Sequence, residues 1–281
     1  YLLHGLFRIK MLMTGSKGQK TVHACMIKLL NLGAKPNIIS CKEGDPLLNR
    51  DTIKYLAILA MLLNHIANLF LTPGTLLCEI FLDIGYFTAI TMCYFLVEGF
   101  HFTHSRRKYG QRLLLFAILS QVPFMLAFHT PTGNMLLTLF LCFLILICME
   151  RLPFASVRCR IEIAGLVLLS CFCDWAGFAA LFTVLFAQAG QDRKRIGKVY
   201  LLGYVLFAFA NTLEYLEQYS LFPALLHGLI SGFGILCSGI LILFFYNHKR
   251  SEHLREFSRW FFYLFYPLHL LVLCVIRYAI K

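Results

Sequence analysis

Apolar residues run through this chain in blocks too long for a soluble core and too continuous for the weak alternation of a membrane barrel. Such blocks lie at 52–71, 76–100, 113–129, 134–149, 161–173, 176–190, 198–211, 222–246 and 257–280. A helix of about 20 residues is about 30 Å long, the thickness of a bilayer's hydrocarbon core. The pattern therefore predicts an all-α polytopic membrane protein with about nine transmembrane helices. Residues 47–281 form its membrane domain, preceded by a more polar segment, 1–46, that ends in Gly44-Asp45-Pro46. Within that segment Thr21 to Leu32 could form a short amphipathic helix on the membrane surface. Leu2–Phe7 is too short for the apolar core of a signal peptide.

Composition agrees: 59% of the 281 residues are apolar and 27 are phenylalanine, with a mean hydropathy of +0.72. The net charge of +12 changes meaning once it is placed along the spans. The clusters Arg106–Arg112, Arg151–Arg160, Arg193–Lys198 and Lys249–Arg259 all fall on one face, together with the basic residues of 1–46. Asp174, Glu214 and Glu217 fall on the other. Positive charge accumulates in cytoplasmic loops, so the N-terminus is expected in the cytoplasm and the C-terminus outside. The charge is topological, and a nucleic-acid partner is not expected. The same count requires two short helices within 161–190, broken at Asp174-Trp175-Ala176-Gly177, because one long helix would invert every later loop. Such breaks are tolerated where protein or a watery cavity covers the backbone, and in transporters they often mark a substrate site.

Ionisable residues inside these spans are the candidates for chemistry, because burying one in a bilayer is costly. His65 lies two thirds along the first span, beside Asn64, and His269 lies in the last, after Tyr266-Pro267-Leu268. A partner for His65 is expected from another span, with Asp83, Glu98 and Asn134 as candidates. Glu98 is more simply read as an ion-pair partner for Arg106–Lys108. The eleven cysteines are scattered, and Cys171-x-Cys173 has neither zinc nor thioredoxin-like spacing. No phosphate-binding loop, dinucleotide fingerprint or HExxH stands in the chain, and no metal site is expected.

An ordered set of short motifs resembles the TraX family. These are Leu59-Ala-Met-Leu-Leu-Asn-His65, Phe95-Leu-Val-Glu-Gly-Phe100 and Thr103-His-Ser-Arg-Arg-Lys-Tyr109, then Arg112-Leu-Leu-Leu-Phe-Ala117 and Ser120-Gln-Val-Pro-Phe124. Leu126-Ala-Phe128, Asn134, the Tyr246-Asn-His-Lys-Arg250 loop and Phe262-Tyr-Leu-Phe-Tyr-Pro-Leu-His-Leu270 complete it. The likeness spans roughly residues 50–281. The family is associated with N-acetylation of pilin and is similar to a wider group of transmembrane acyltransferases that includes heparan-α-glucosaminide N-acetyltransferase.

The resemblance implies an acetyltransferase of the bacterial cytoplasmic membrane. It would take acetyl-CoA from the cytoplasm and pass acetyl to an amine on a peptide, a pilin-type N-terminus or another surface acceptor. The family's Asp-His lands on Asn64-His65, placing the catalytic role on His65, with Asp83 and His269 as further catalytic candidates. His65 would act as general base or carry the acetyl group itself. His269 would protonate a leaving group, bind the acceptor or brace the last helix. Arg106, Arg107, Lys108 and Arg112, with Asn247, Lys249 and Arg250, would form a cationic mouth for the donor's phosphates. Membrane lipid surrounds the whole. Asn64 stands where the family has aspartate, Tyr86 where it has arginine, Ile90 where it has proline and Gln121 where it has glutamate. Without the aspartate, the tautomer of His65 is expected to be less defined. Two other classes fit the same residues: a proton-coupled transporter or flippase using His65, Asp83 and His269, and an O-acyltransferase acting on surface glycans.

Overall fold

The computed structural model describes residues 48–249 and 255–280, so the expectations for residues 1–46 and for Arg250 lie outside the described residues. The described chain is helical, with two isolated β-bridges besides. In chain order the helices are α1 (Arg50–Phe70), α2 (Leu76–Phe102), α3 (Arg106–Phe128), α4 (Met135–Arg151) and α5 (Val157–Ser170). They continue as α6 (Phe178–Ala189), α7 (Arg193–Tyr215), α8 (Leu221–Ser231), α9 (Phe233–Ile240), a π-helical turn (Leu241–Phe245) and α10 (Arg255–Ile280).

Polar side chains at the block edges set the helix starts. Asn49, Ser105, Asn134, Ser156 and Asp192 each accept a backbone N–H of the first turn of α1, α3, α4, α5 and α7. Six stretches are long and apolar enough to cross a membrane: α1, α2, α3, α7, residues 221–245 and 260–280. α4, α5 and α6 are shorter, at 17, 14 and 12 residues. The block at 161–190 is two helices, split at 171–177 as the charge count required. The basic residues 106–112, expected in a loop, instead form the first turns of α3. A helix continues past its apolar window when its long cationic side chains reach back to water.

α2 is the axis of the bundle. It is far more buried than any other long helix and packs against α1, α4, α6, α8 and α9. Small residues let its neighbours approach: a Cβ on Gly85 would overlap the Asn64 side chain, and one on Gly234 would overlap the Asp83 carbonyl oxygen. The outer surface is apolar, as on α3, where Leu115, Ile118 and Val122 are exposed. Such a surface suits lipid rather than water.

At one end of the bundle the start of α1 is zipped to the segment after the π turn. Leu48 N–H donates to Phe245 O at 2.9 Å, Asn247 N–H to Leu48 O at 3.0 Å, and Arg50 N–H to Lys249 O at 2.9 Å. A buried ion pair lies beneath this zipper, with Arg50 Nε 3.5 Å from Glu98 Oε2. The Tyr246 hydroxyl donates to the same carboxylate at 2.8 Å, and His248 Nδ1 lies 3.5 Å from it. Burial and the adjacent Glu98 carboxylate push the Tyr246 phenol up, so it remains a donor. Glu98 thus pairs with Arg50, not with the Arg106–Lys108 cluster.

Removing one partner of a buried ion pair strands the other charge. Glu98→Gln is expected to destabilise the fold by about 3–5 kcal/mol, read as a loss of thermal stability in detergent. Arg107→Gln, at an exposed position, should shift stability by less than about 0.5 kcal/mol.

Candidate functional site

The two intramembrane histidines meet. His65 Nδ1 of α1 and His269 Nε2 of α10 are 2.7 Å apart, with ring planes inclined by only 9°. The second nitrogen of His269, Nδ1, lies 2.7 Å from Phe265 O, one turn back on its own helix. Both residues are buried, and Phe128 and Tyr266 pack edge-on against His65 with ring centroids at 5.2 and 6.3 Å.

These contacts fix the proton positions. A carbonyl oxygen only accepts, so His269 Nδ1 carries hydrogen and donates to Phe265 O. The neutral ring then has its lone pair on Nε2, which must accept from His65 Nδ1–H. The remaining nitrogen, His65 Nε2, is left with a lone pair. Among the described residues no carboxylate bonds to either ring. With both rings neutral, His269 stands where a carboxylate would orient the imidazole. A proton taken at His65 Nε2 can be passed along Nδ1–H to His269 Nε2.

Other expected site residues fall elsewhere. Asn64 does not touch His65; its Nδ2 donates to Leu82 O at 3.3 Å, and its Oδ1 accepts from Asn68 Nδ2 at 3.1 Å. It seats α1 on α2, facing Gly85. The expected loosening of the His65 tautomer is therefore corrected: His269 sets it, and Asn64 does not. Asp83 makes no hydrogen bond or ion pair with either histidine among the described residues. Asn134 caps α4, and its Nδ2 donates to Ala117 O at 2.7 Å and Gln121 Oε1 at 2.9 Å. Gln121 donates in turn to Thr132 O at 2.8 Å. The next residue, Met135, donates its N–H to the Tyr266 hydroxyl at 3.3 Å. That bond ties the start of α4 to the ring beside both histidines.

The expected cationic mouth divides in two. Arg106 is engaged internally: it donates to Thr103 O at 2.8 Å, pairs with Glu150 at 3.2 Å and lies over the Phe100 ring at 4.2 Å. Asn247 is also spent on the fold, its Oδ1 accepting Lys249 N–H at 2.9 Å. Arg107, Lys108 and Lys249 are exposed. Arg112 differs from Arg106 and Arg50, whose Nε atoms are likewise buried without an acceptor, in that none of its nitrogens has a hydrogen-bond or ion-pair partner among the described residues. Arg50, which the sequence did not single out, adds a buried guanidinium at the same end. A Cβ on Gly99 would lie 3.0 Å from Arg50 Nη2 and 3.1 Å from the Tyr109 hydroxyl. The starts of α1 and α3 therefore converge on the last turns of α2. Nothing in the sequence marked Arg50 beyond its position before the first apolar block.

An apolar cavity of about 480 Å³ runs along α10. Leu62, Phe261, Leu264, Leu268 and Val272 form much of its lining, and His269 is the polar member of its wall. Among the described residues no group of three or more His, Cys, Asp or Glu could hold a metal ion.

The assigned tautomer can be read directly. In ¹⁵N-histidine-labelled protein, NMR should show His65 protonated at Nδ1 and bare at Nε2. His269→Phe, which removes the acceptor but keeps an aromatic ring, should abolish that bias.

Comparison with known proteins gives the chain its relatives. It matches the TraX protein family over residues 49–277. It is 35% identical over 240 residues to the probable fimbrial assembly protein FimC, serogroup H1, of Dichelobacter nodosus, covering 79% of this chain and 93% of that protein. No solved structure matches it. The match runs from the cap of α1 to the last turn of α10 and takes in both histidines and the basic start of α3, so the chain is an integral membrane protein belonging to the TraX family.

Proposed function

We propose that this chain is an acetyltransferase of the bacterial cytoplasmic membrane, moving acetyl from acetyl-CoA to an amine that arrives from the opposite face. The observation that carries the reading is the hydrogen-bonded chain from Phe265 O through His269 to His65, which leaves His65 Nε2 as a free base. On this reading the chain crosses the membrane nine times, with 221–245 counted as one pass, the N-terminus in the cytoplasm and the C-terminus outside. Transporter and flippase readings draw no comparable support, because Asp83 does not join the histidines.

The chemistry needs a nucleophilic nitrogen, a base and a leaving group. His65 Nε2 takes a proton from the acceptor amine as its nitrogen attacks the thioester carbonyl. The C–N bond forms, the C–S bond breaks, and the departing sulfur takes the proton back from the imidazolium. The products are an acetyl amide and free CoA. His269 acts through His65: it fixes the Nδ1–H tautomer and shares the proton while the imidazolium exists, as a carboxylate does in other histidine bases. At the basic end, the buried and unpartnered Arg112 Nε supports anion binding, since a buried guanidinium N–H without an acceptor is costly. Phosphate is a strong acceptor for such a group. The TraX membership and the fimbrial relative support a peptide α-amine, as on a fimbrial subunit, as the acceptor class.

Purified protein in lipid nanodiscs, given acetyl-CoA and a free-amine peptide, should release CoA and acetylated peptide. His65→Ala should reduce turnover by at least about 100-fold, the lower end of what a positioned base contributes, while keeping its thermal melt. Arg112→Gln should raise KM for acetyl-CoA about 10-fold or more, the scale of one hydrogen bond to a charged group. Normal turnover in His65→Ala would refute the assignment.

A further inference from the structure

The break between the two short helices carries Asp174 back to the start of α4. Residues 171–177 fold back onto the α3–α4 turn. Gly133 N–H donates to Phe172 O at 3.0 Å and Asp174 N–H to Gly133 O at 2.7 Å. Thr138 Oγ1 donates to Asp174 O at 2.7 Å. Trp175 holds the loop from the other side, buried and stacked on Phe207 with centroids 5.6 Å apart. It does so at φ +58°, a backbone region that a tryptophan rarely adopts. The loop is thus pinned at the start of α4, where Met135 N–H meets the Tyr266 hydroxyl at 3.3 Å. The Tyr266 ring packs against both histidines, with centroids 6.3 Å from His65 and 5.6 Å from His269.

Asp174 lies at the centre of this arrangement. Its Oδ1 accepts the Trp175 N–H at 3.0 Å. Its other carboxylate oxygen takes no hydrogen bond, and no cation pairs with it, among the described residues. The histidine pair offers a cationic substrate one lone pair, on His65 Nε2, and no negative charge. Glu79 is already engaged, by the Tyr215 hydroxyl and by His227 Nε2, each at 3.1 Å.

We propose that Asp174 is the acceptor subsite: its open carboxylate oxygen captures the ammonium form of the acceptor on the way to His65. The proposal rests on the transferase reading and sharpens it, because a carboxylate on the approach selects a cationic amine over a neutral hydroxyl. It also gives the helix break a use, since one continuous helix could not return Asp174 to the α3–α4 turn. Asp174 acts here as a binding residue: the ammonium gives its extra proton to water as it leaves the carboxylate, and His65 takes the next proton as the neutral amine attacks the thioester.

The test uses a short peptide carrying a C-terminal fluorophore, with its α-amine either free or acetylated, added to the full-length protein in nanodiscs. Anisotropy should show the free-amine peptide binding at least about 10-fold more tightly, the scale of one charge-assisted hydrogen bond. Asp174→Asn should remove that preference, and Asp174→Glu should retain part of it. In turnover, Asp174→Asn should raise KM for the amine peptide with little change in kcat, which a merely structural loss would not do. No preference in the wild-type protein, or a preference that survives in Asp174→Asn, would overturn the proposal. The binding arm needs no acetyl transfer, so a preference that depends on Asp174 in a protein that transfers nothing would reject the transferase reading alone.

Discussion

A histidine carried on an apolar membrane helix must find its hydrogen bonds inside the protein, because lipid offers none. That constraint organises this molecule. His65 satisfies Nδ1 by reaching across to α10, and the partner it meets is another imidazole whose far nitrogen is already committed to Phe265 O. A carbonyl cannot donate, so one contact fixes the next, and the chemistry of His65 Nε2 is decided some distance away from it. The same rule applies at the basic end, where Arg50 and Glu98 are buried together and Tyr246 completes the carboxylate's shell. Between these two polar knots the core is mainly apolar, with small buried hydroxyl contacts such as Thr91–Ser238–Tyr200, and α2 carries the packing that holds them in place.

The polar knots also link fold to function. The zipper between Leu48–Arg50 and Phe245–Lys249 closes the bundle at the end where Arg112 lacks a partner. At the opposite end, the Gly133–Cys173 bridge holds the loop between α5 and α6 against the start of α4. One end is thus cationic with an unmet demand for an anion, and the other presents a carboxylate with an open oxygen. That polarity suits a donor and an acceptor that come from opposite faces.

The helical class was legible because apolar runs of this length leave few alternatives. The break at 171–177 was legible because the charge count would otherwise fail. Boundaries missed where charge overlaps helix: residues 106–112 carry four cations yet belong to α3. Both histidines stood out as costly residues, but their pairing did not, since nothing local relates position 65 to position 269. Asparagine in place of aspartate at position 64 pointed to a less defined His65 tautomer; in three dimensions that residue faces Gly85 and Leu82 instead. Arg50 and Asp174 each sit at the edge of an apolar block, where a charged residue is ordinary. Only the packing shows that one is buried and that the other is folded back onto the start of α4.

The measurement that bears most directly on this account is sided transfer in sealed proteoliposomes, with the protein's orientation established by protease accessibility. Acetyl-CoA supplied on the face bearing Arg112, with the amine peptide confined to the other compartment, should yield acetylated peptide in that other compartment and free CoA on the donor side. Product that forms only when donor and acceptor share one face would contradict it, as would compartment-independent transfer.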